Sequence, residues 1–306
     1  MPTAVELMYD VFRMSGEGRA SNQPRRRIRF PGGVFHYMAA ALPDVRAVGL
    51  KSYAATRGGI QFVALLFDTE TGSLLAVLEA DWLGRIRTGA ASGAATRILA
   101  RPDARTAGVI GAGGQAETQI EALAAAGGIE HIKVYSRTQE RREELVRRLA
   151  GRLTCRLEAV STAREAVEGL DVVTTITTAS EPVFDGSWLM PGCHVNAAGS
   201  NMAQRREIDT VTVGHASCIA VDSVEQAQIE SGDLITAAEA GALQWDQVRE
   251  LGDIAAGTVR GRTSSDEITL YESQGVAIED VMVARYVYDE ALKVGRGQRV
   301  DFGSGD

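Results

Sequence analysis

Residues 106–126 read TAGVIGAGGQAETQIEALAAA, and this stretch decides the fold. TAGVIG (106–111) is a short apolar run that predicts a strand, and Gln115–Ala126, made of small and apolar residues, predicts a helix. Between them stands Gly111-x-Gly113-x-x-Ala116. Gly111 permits a tight turn out of the strand, and Gly113 lets backbone approach a pyrophosphate. Ala116 lets helix and strand pack closely. Free N–H groups at the helix start then favour an anion. The context, strand before and helix after, makes the stretch a dinucleotide-binding βαβ turn.

Downstream, the rhythm continues as strand and helix. HIKVYS (131–136) predicts a strand, Gln139–Ala150 a charged helix, CRLEAV (155–160) a strand and Ala163–Glu168 a helix. DVVTTITT (171–178), HVNAAG (194–199) and CIAVDS (218–223) complete the series of apolar strands. Continuous apolar strands alternating with helices predict a parallel sheet covered on both faces. Upstream the pattern differs. Val5, Met8 and Phe12 mark an amphipathic helix over residues 1–14. RRRIRF (25–30), VFHYMAA (34–40), AVGLKSYA (47–54), QFVALLFD (61–68) and LLAVLEA (74–80) are separated by turn residues and predict an antiparallel sheet. Asp81–Ala100 reads as a small-residue helix stopped by Pro102, and Ala277–Leu292 as a helix returning onto the first unit. The fold class is therefore α/β: a Rossmann-type doubly wound parallel sheet plus an α+β unit.

The tip of the second Rossmann strand chooses between nicotinamide cofactors. An NAD site usually carries Asp or Glu about 20 residues past the loop, on the ribose 2′-hydroxyl. Here the tip reads Tyr135-Ser136-Arg137-Thr138, without a carboxylate. Arg137 can pair with an adenosine 2′-phosphate, and Ser136 and Thr138 can donate hydrogen bonds to it. NADP(H) is the preferred cofactor on this reading, with NAD(H) the alternative.

Composition excludes several classes. The 306 residues are 45% hydrophobic and 24% charged, with a formal net charge of −8. A net negative chain is not built for a nucleic-acid polyanion. Cys155, Cys193 and Cys218 have no CxxC spacing, and His36, His131, His194 and His215 are scattered, so neither a disulfide framework nor a metal centre is expected. No apolar run is long enough to span a bilayer. The N-terminus carries acids early and does not read as a signal peptide, so a cytoplasmic protein is expected.

Several segments together resemble the ornithine cyclodeaminase/mu-crystallin family, which includes archaeal-type alanine dehydrogenases and ketimine reductases. They are GLKSY (49–53), LGRIRTGAASGAATRILARPDA (83–104), VIGAGGQAE (109–117), HVNAAGSN (194–201) and YESQGVAIED (271–280). The resemblance implies a substrate-binding and dimerisation domain of residues 1–104 with 277–306, an inserted NAD(P)-binding domain of 105–276, and a homodimer. It implies that Lys51 contacts substrate and that Arg87 lies beside nicotinamide and substrate, followed by Thr88 at the cofactor. It places Gly114 and Gln115 on the cofactor loop, and Thr177, Ala198, Gly199 and Ser273 on the nicotinamide side. A further family arginine binds the substrate carboxylate; counting from Met38 favours Arg25, and counting from Lys51 favours Arg27.

The residues can also be read by themselves. Arg25, Arg27 and Arg29 alternate along a strand and share one face. A guanidinium fork suits a carboxylate, while a solvated edge or a small nucleic-acid patch are the plain alternatives. Lys51 lies in an apolar strand, where burial without a partner is costly, so a cleft position is expected. Arg87 has Glu79 or Asp81 as possible structural partners. Asn201 departs from the resemblance, because cyclodeaminases carry an aspartate there. An amide is no base near neutral pH and attracts no second ammonium. The leading expectation is an NADPH-dependent reductase of cyclic ketimine acids, acting on a small carboxylate-bearing imine. The alternatives are an amino-acid dehydrogenase or cyclodeaminase, and a non-catalytic NADPH-binding protein.

Overall fold

Pro2, at a position where its missing N–H costs nothing, opens α1 (Pro2–Gly16), which buries Val5, Met8, Val11 and Phe12. The computed structural model describes residues 1–301; residues 302–306, the end of the expected 277–306 segment, lie outside the described residues. An antiparallel sheet follows, built from β1 (Ser21–Asn22), β2 (Arg26–Phe30), β3 (Gly33–Leu42), β4 (Ala47–Thr56), β5 (Gly59–Phe67) and β6 (Leu74–Glu79). Its order is β1-β3-β4-β5-β6, with β2 also pairing β3. Lys51 pairs with Met38 on one side and Ala64 on the other, so these three share a face.

The small-residue helix α2 (Asp81–Leu99) comes next. Its composition has a steric cause: a Cβ on Gly89 would collide with the backbone of Thr118 in α3 (Ala116–Ala126), which packs directly on it. The alternating part contains β7 (Thr106–Ile110), β8 (His131–Tyr135), α4 (Gln139–Leu149), β9 (Arg156–Ala159), β10 (Val172–Thr175) and β11 (His194–Ala197). It continues through α5 (Thr210–His215), β12 (Ala216–Val221), α6 (Val224–Glu230), α7 (Gly232–Glu239), β13 (Val248–Glu250), α8 (Leu251–Ala255) and β14 (Ile268–Glu272). All eight strands run parallel in the order β13-β12-β14-β11-β10-β7-β8-β9. The last element, α9 (Ala277–Lys293), returns to pack on β3, β4 and β5, as expected.

Two expectations are corrected. Ala163–Glu168 forms only a single 3-10 turn at Arg164–Ala166, and Gly169 then turns the chain away at φ 72°. The strand series also does not end at residue 223. β14 lies in mid-sheet between β11 and β12, and its buried Thr269, Tyr271 and Glu272 gave it no apolar signature. Tyr271 packs edge-on against Phe12 at 6.4 Å, so one core spans α1, α9 and the parallel sheet. A buried polar series links strands to α2. His194 Nδ1 meets Thr269 Oγ1 at 2.9 Å, His194 Nε2 meets Asn196 Oδ1 at 3.1 Å, and Asn196 Nδ2 donates to Thr96 Oγ1 at 3.1 Å. Burial pushes His194 down to about 3, so the ring is neutral. Among the described residues no helix is long and apolar enough to cross a membrane.

Candidate active site

Strand order reverses between β7 and β10, and a cleft opens at the carboxyl ends of the strands there. Gly111 leaves β7 at φ 131°, held by its N–H to Tyr135 O at 2.8 Å, and a Cβ here would collide with Ile176 O. Ala116 is fully buried where α3 meets the sheet. Gly113, by contrast, faces open space: a Cβ would meet nothing within 4 Å. The loop is thus an uncovered backbone cradle at a helix start, and it fits a dinucleotide pyrophosphate. Arg85 reaches it from α2, donating to Gly114 O at 3.2 Å.

The β8 tip is pre-formed. Thr138 N–H donates to Ser136 Oγ at 3.3 Å, and Arg142 Nη1 donates to Ser136 O at 2.7 Å while its guanidinium stands 5.8 Å over the Tyr135 ring. Arg137 is exposed there and makes no hydrogen bond or ion pair with any described residue.

On the opposite side of the switch point, Glu207 ties two loops together. Its carboxylate accepts from Thr177 N at 2.5 Å, Thr177 Oγ1 at 2.6 Å, Gly199 N at 2.6 Å and Thr175 Oγ1 at 2.9 Å. Burial pushes Glu207 up to about 7, against the pull of those donors. Ser273 Oγ donates to the buried Asp222 at 3.2 Å.

The third side is charged. Lys51 Nζ donates to Asp280 Oδ1 at 2.7 Å, and the same oxygen accepts from Arg87 Nε at 3.1 Å. Arg87 Nη1 pairs with Glu279 at 2.8 Å, so the partners of Arg87 come from α9 and not from Glu79 or Asp81. Burial, helped by the Arg87 charge, pushes Lys51 down to about 8 although Asp280 pulls the other way. Burial opposes charge on Asp280 too, but Arg87 and Lys51 hold its carboxyl below its ordinary value. Arg25 and Arg27 do lie on one side, and both pair with Glu230 of α6, Arg27 at 2.6 Å. Arg25 is enclosed, bonded also to Gln274 O and Gly275 O; Arg27 donates to Asn201 O at 2.9 Å.

Two adjoining cavities, of about 100 and 280 Å³, connect these walls. The smaller is lined by Arg87, Thr88, Gln115, Ala198, Gly199, Asn201 and Ser273, among others. The larger adds Lys51, Phe62 and Gly114. Lys51, Arg87, Asn201 and the glycine loop therefore face one space. Ser136–Thr138 lie at the far end of β8, and Arg25 and Arg27 lie off these walls. Glu207, Glu230, Glu279 and Asp280 were not singled out from sequence. Glu279 and Asp280 stand inside the YESQGVAIED segment, where their charge in an otherwise small and apolar helix start was the available signal.

The chain is 35% identical over 266 residues to a Δ1-pyrroline-2-carboxylate reductase of Bacillus cereus, covering 87% of this chain and 79% of that one. The Δ1-pyrroline-2-carboxylate reductase of Thermococcus litoralis, solved with NADH and L-proline, superposes with a TM-score of 0.91 at 35% identity, covering 97% and 95% of the two chains. An archaeal alanine dehydrogenase dimer with bound NAD also gives 0.91, at 32% identity and 98% and 94% coverage. The ornithine cyclodeaminase/mu-crystallin family model matches residues 1–295, and the chain belongs to that family.

Proposed function

We propose that this protein is an NAD(P)H-dependent reductase of cyclic ketimine acids, of the pyrroline- or piperideine-2-carboxylate type. The observation that carries this reading is the cavity shared by Lys51, Arg87 and the Gly114–Gln115 loop, which sets two cations against the cofactor cradle. The relatives that act on or bind such compounds support it.

When bound, the nicotinamide would supply the hydride. Gly111–Gln115 would hold the pyrophosphate, and Thr177, Ala198, Gly199 and Ser273 would flank the nicotinamide. Arg87 and Lys51 attract the substrate carboxylate into the cavity. Arg27, half-buried beside Asn201, adds to that field, and Arg25 backs it from within. Lys51, pushed down to about 8, is still mostly protonated at neutral pH and can give its proton to the ring nitrogen as the carbon is reduced. The reaction takes imine, NAD(P)H and one proton to amine and NAD(P)⁺. Ammonia release from ornithine fits less well, because Asn201 offers no base and Asp81, the one acid lining the cavities among the described residues, is paired with Arg85 at 2.8 Å.

NADP(H) is the preferred cofactor on this reading, because Arg137 is exposed and pairs with no described residue beside the Ser136–Thr138 turn. The protein acts as a homodimer through the antiparallel sheet. Ile28, Phe30, Tyr37 and Val77 are exposed on the face turned away from Lys51 and α9, and an alanine dehydrogenase relative is a dimer. The direct test is oxidation of NADPH and NADH with Δ1-pyrroline-2-carboxylate and Δ1-piperideine-2-carboxylate. Turnover of both imines with lower KM for NADPH is expected. Ammonia release from L-ornithine or L-alanine with NAD⁺, without imine reduction, would replace this reading by the dehydrogenase or cyclodeaminase one.

A further inference from the structure

We infer that Asp280 is the positioning residue of the active site, one carboxylate that aligns Lys51 and Arg87 and keeps Lys51 protonated for donation to the substrate nitrogen. The inference rests on the imine-reductase reading for its chemistry, but its geometry is independent of it. Asp280 Oδ1 is shared between Lys51 Nζ at 2.7 Å and Arg87 Nε at 3.1 Å. Those two cations come from β4 and α2, elements of different layers, and α9 brings the carboxylate between them. Asp280 itself is 1% exposed and lines neither cavity, so it reaches the substrate only through its partners.

Electrostatics explains why an acid is required there. Without Asp280, Lys51 would face the positive charges of Arg87 on α2 and Arg25 ahead of β2 in a buried setting. Both burial and like charge drive an ammonium to lose its proton. Glu279 does not substitute, since its carboxylate is directed to Arg87 Nη1 and to Val276 N. Arg85 and Asp81, also on the cavity wall, pair with each other. Asp280 Oδ2 is buried without a hydrogen-bond partner, so the side chain is oriented by its cations and not by its own helix.

The chain's lysines are Lys51, Lys133 and Lys293, so Lys51 can be followed directly by NMR of protein carrying ¹³Cε-lysine. In the unsubstituted protein Lys51 should titrate near pH 8. In Asp280→Asn, nearly isosteric, the midpoint should fall by about one pH unit or more, with Lys133 and Lys293 unmoved. The alkaline limb of the imine-reduction profile should move with it. Asp280→Glu keeps the charge but displaces it, so the midpoint should return towards the original. Its kcat should fall about 10- to 100-fold with cofactor Kd unchanged. An unmoved Lys51 midpoint in folded Asp280→Asn overturns the inference, and so does full kcat in Asp280→Glu should the asparagine variant not fold. If the midpoint falls while the unsubstituted protein reduces no imine, the function reading fails and the placement of Lys51 by Asp280 stands.

Discussion

The Gly111–Gln115 wall presents backbone, whereas the Lys51–Arg87 wall presents side chains held by acids from a distant helix. The first is contiguous in sequence, and its geometry follows from one glycine at φ 131° and one left uncovered. The second joins β4, α2 and α9, more than 190 residues apart between Arg87 and Glu279. A backbone cradle binds whatever pyrophosphate it meets. A side-chain cage must be neutralised to survive burial and is tuned by the charges around it. Affinity for the cofactor and chemistry on the substrate should therefore separate under mutation.

The sharpest separation is expected from Lys51→Ala. Loss of the proton donor should lower kcat/KM for the imine by about 10³-fold, while NADPH Kd by fluorescence stays unchanged. Retained turnover would break the assignment. Gly113→Val attacks the other wall. Its Cβ enters open space, so the melting temperature should hold, but cofactor affinity should fall about 100-fold or more because the pyrophosphate loses its close approach. Arg137→Ala should raise KM for NADPH by about tenfold and leave NADH nearly untouched; equal effects on both would remove the 2′-phosphate role.

The pH profile tests the cage without mutation. Lys51 acts in its protonated form, and burial sets its pKa near 8, so imine reduction should decline as pH rises through that value. The fold answers to a different group, His194. His194 is neutral in the folded state with its pKa depressed to about 3, whereas an unfolded chain protonates it below about 6.5. The unfolded state then binds the extra proton, so stability should fall as pH drops below 6.5 towards 3, by up to about 1.4 kcal/mol per pH unit. His194→Gln should flatten that slope in urea titrations at pH 6.5 and 5.

The same contrast explains what could be read before the structure. The βαβ turn was legible because its chemistry lies in neighbouring residues, and the apolar strands 106–111, 131–136 and 194–199 were legible by pattern. β14 was not, because its Thr269, Tyr271 and Glu272 are polar or amphipathic residues buried against His194, Asp222 and Ser231. Lys51 and Arg87 were visible as misplaced charges, but Glu279 and Asp280 become their partners only through the return of α9. Arg25 and Arg27 showed their shared face by alternation, while Glu230, which holds both, lies some 200 residues further on.

The most direct test of the account is NADPH consumption with Δ1-piperideine-2-carboxylate and Δ1-pyrroline-2-carboxylate, comparing the unsubstituted protein with Lys51→Ala. Stoichiometric formation of the cyclic amino acid by the former and near-complete loss in the latter are expected, with both proteins binding NADPH alike. Tight NADPH binding with no imine reduced by the unsubstituted protein would contradict it.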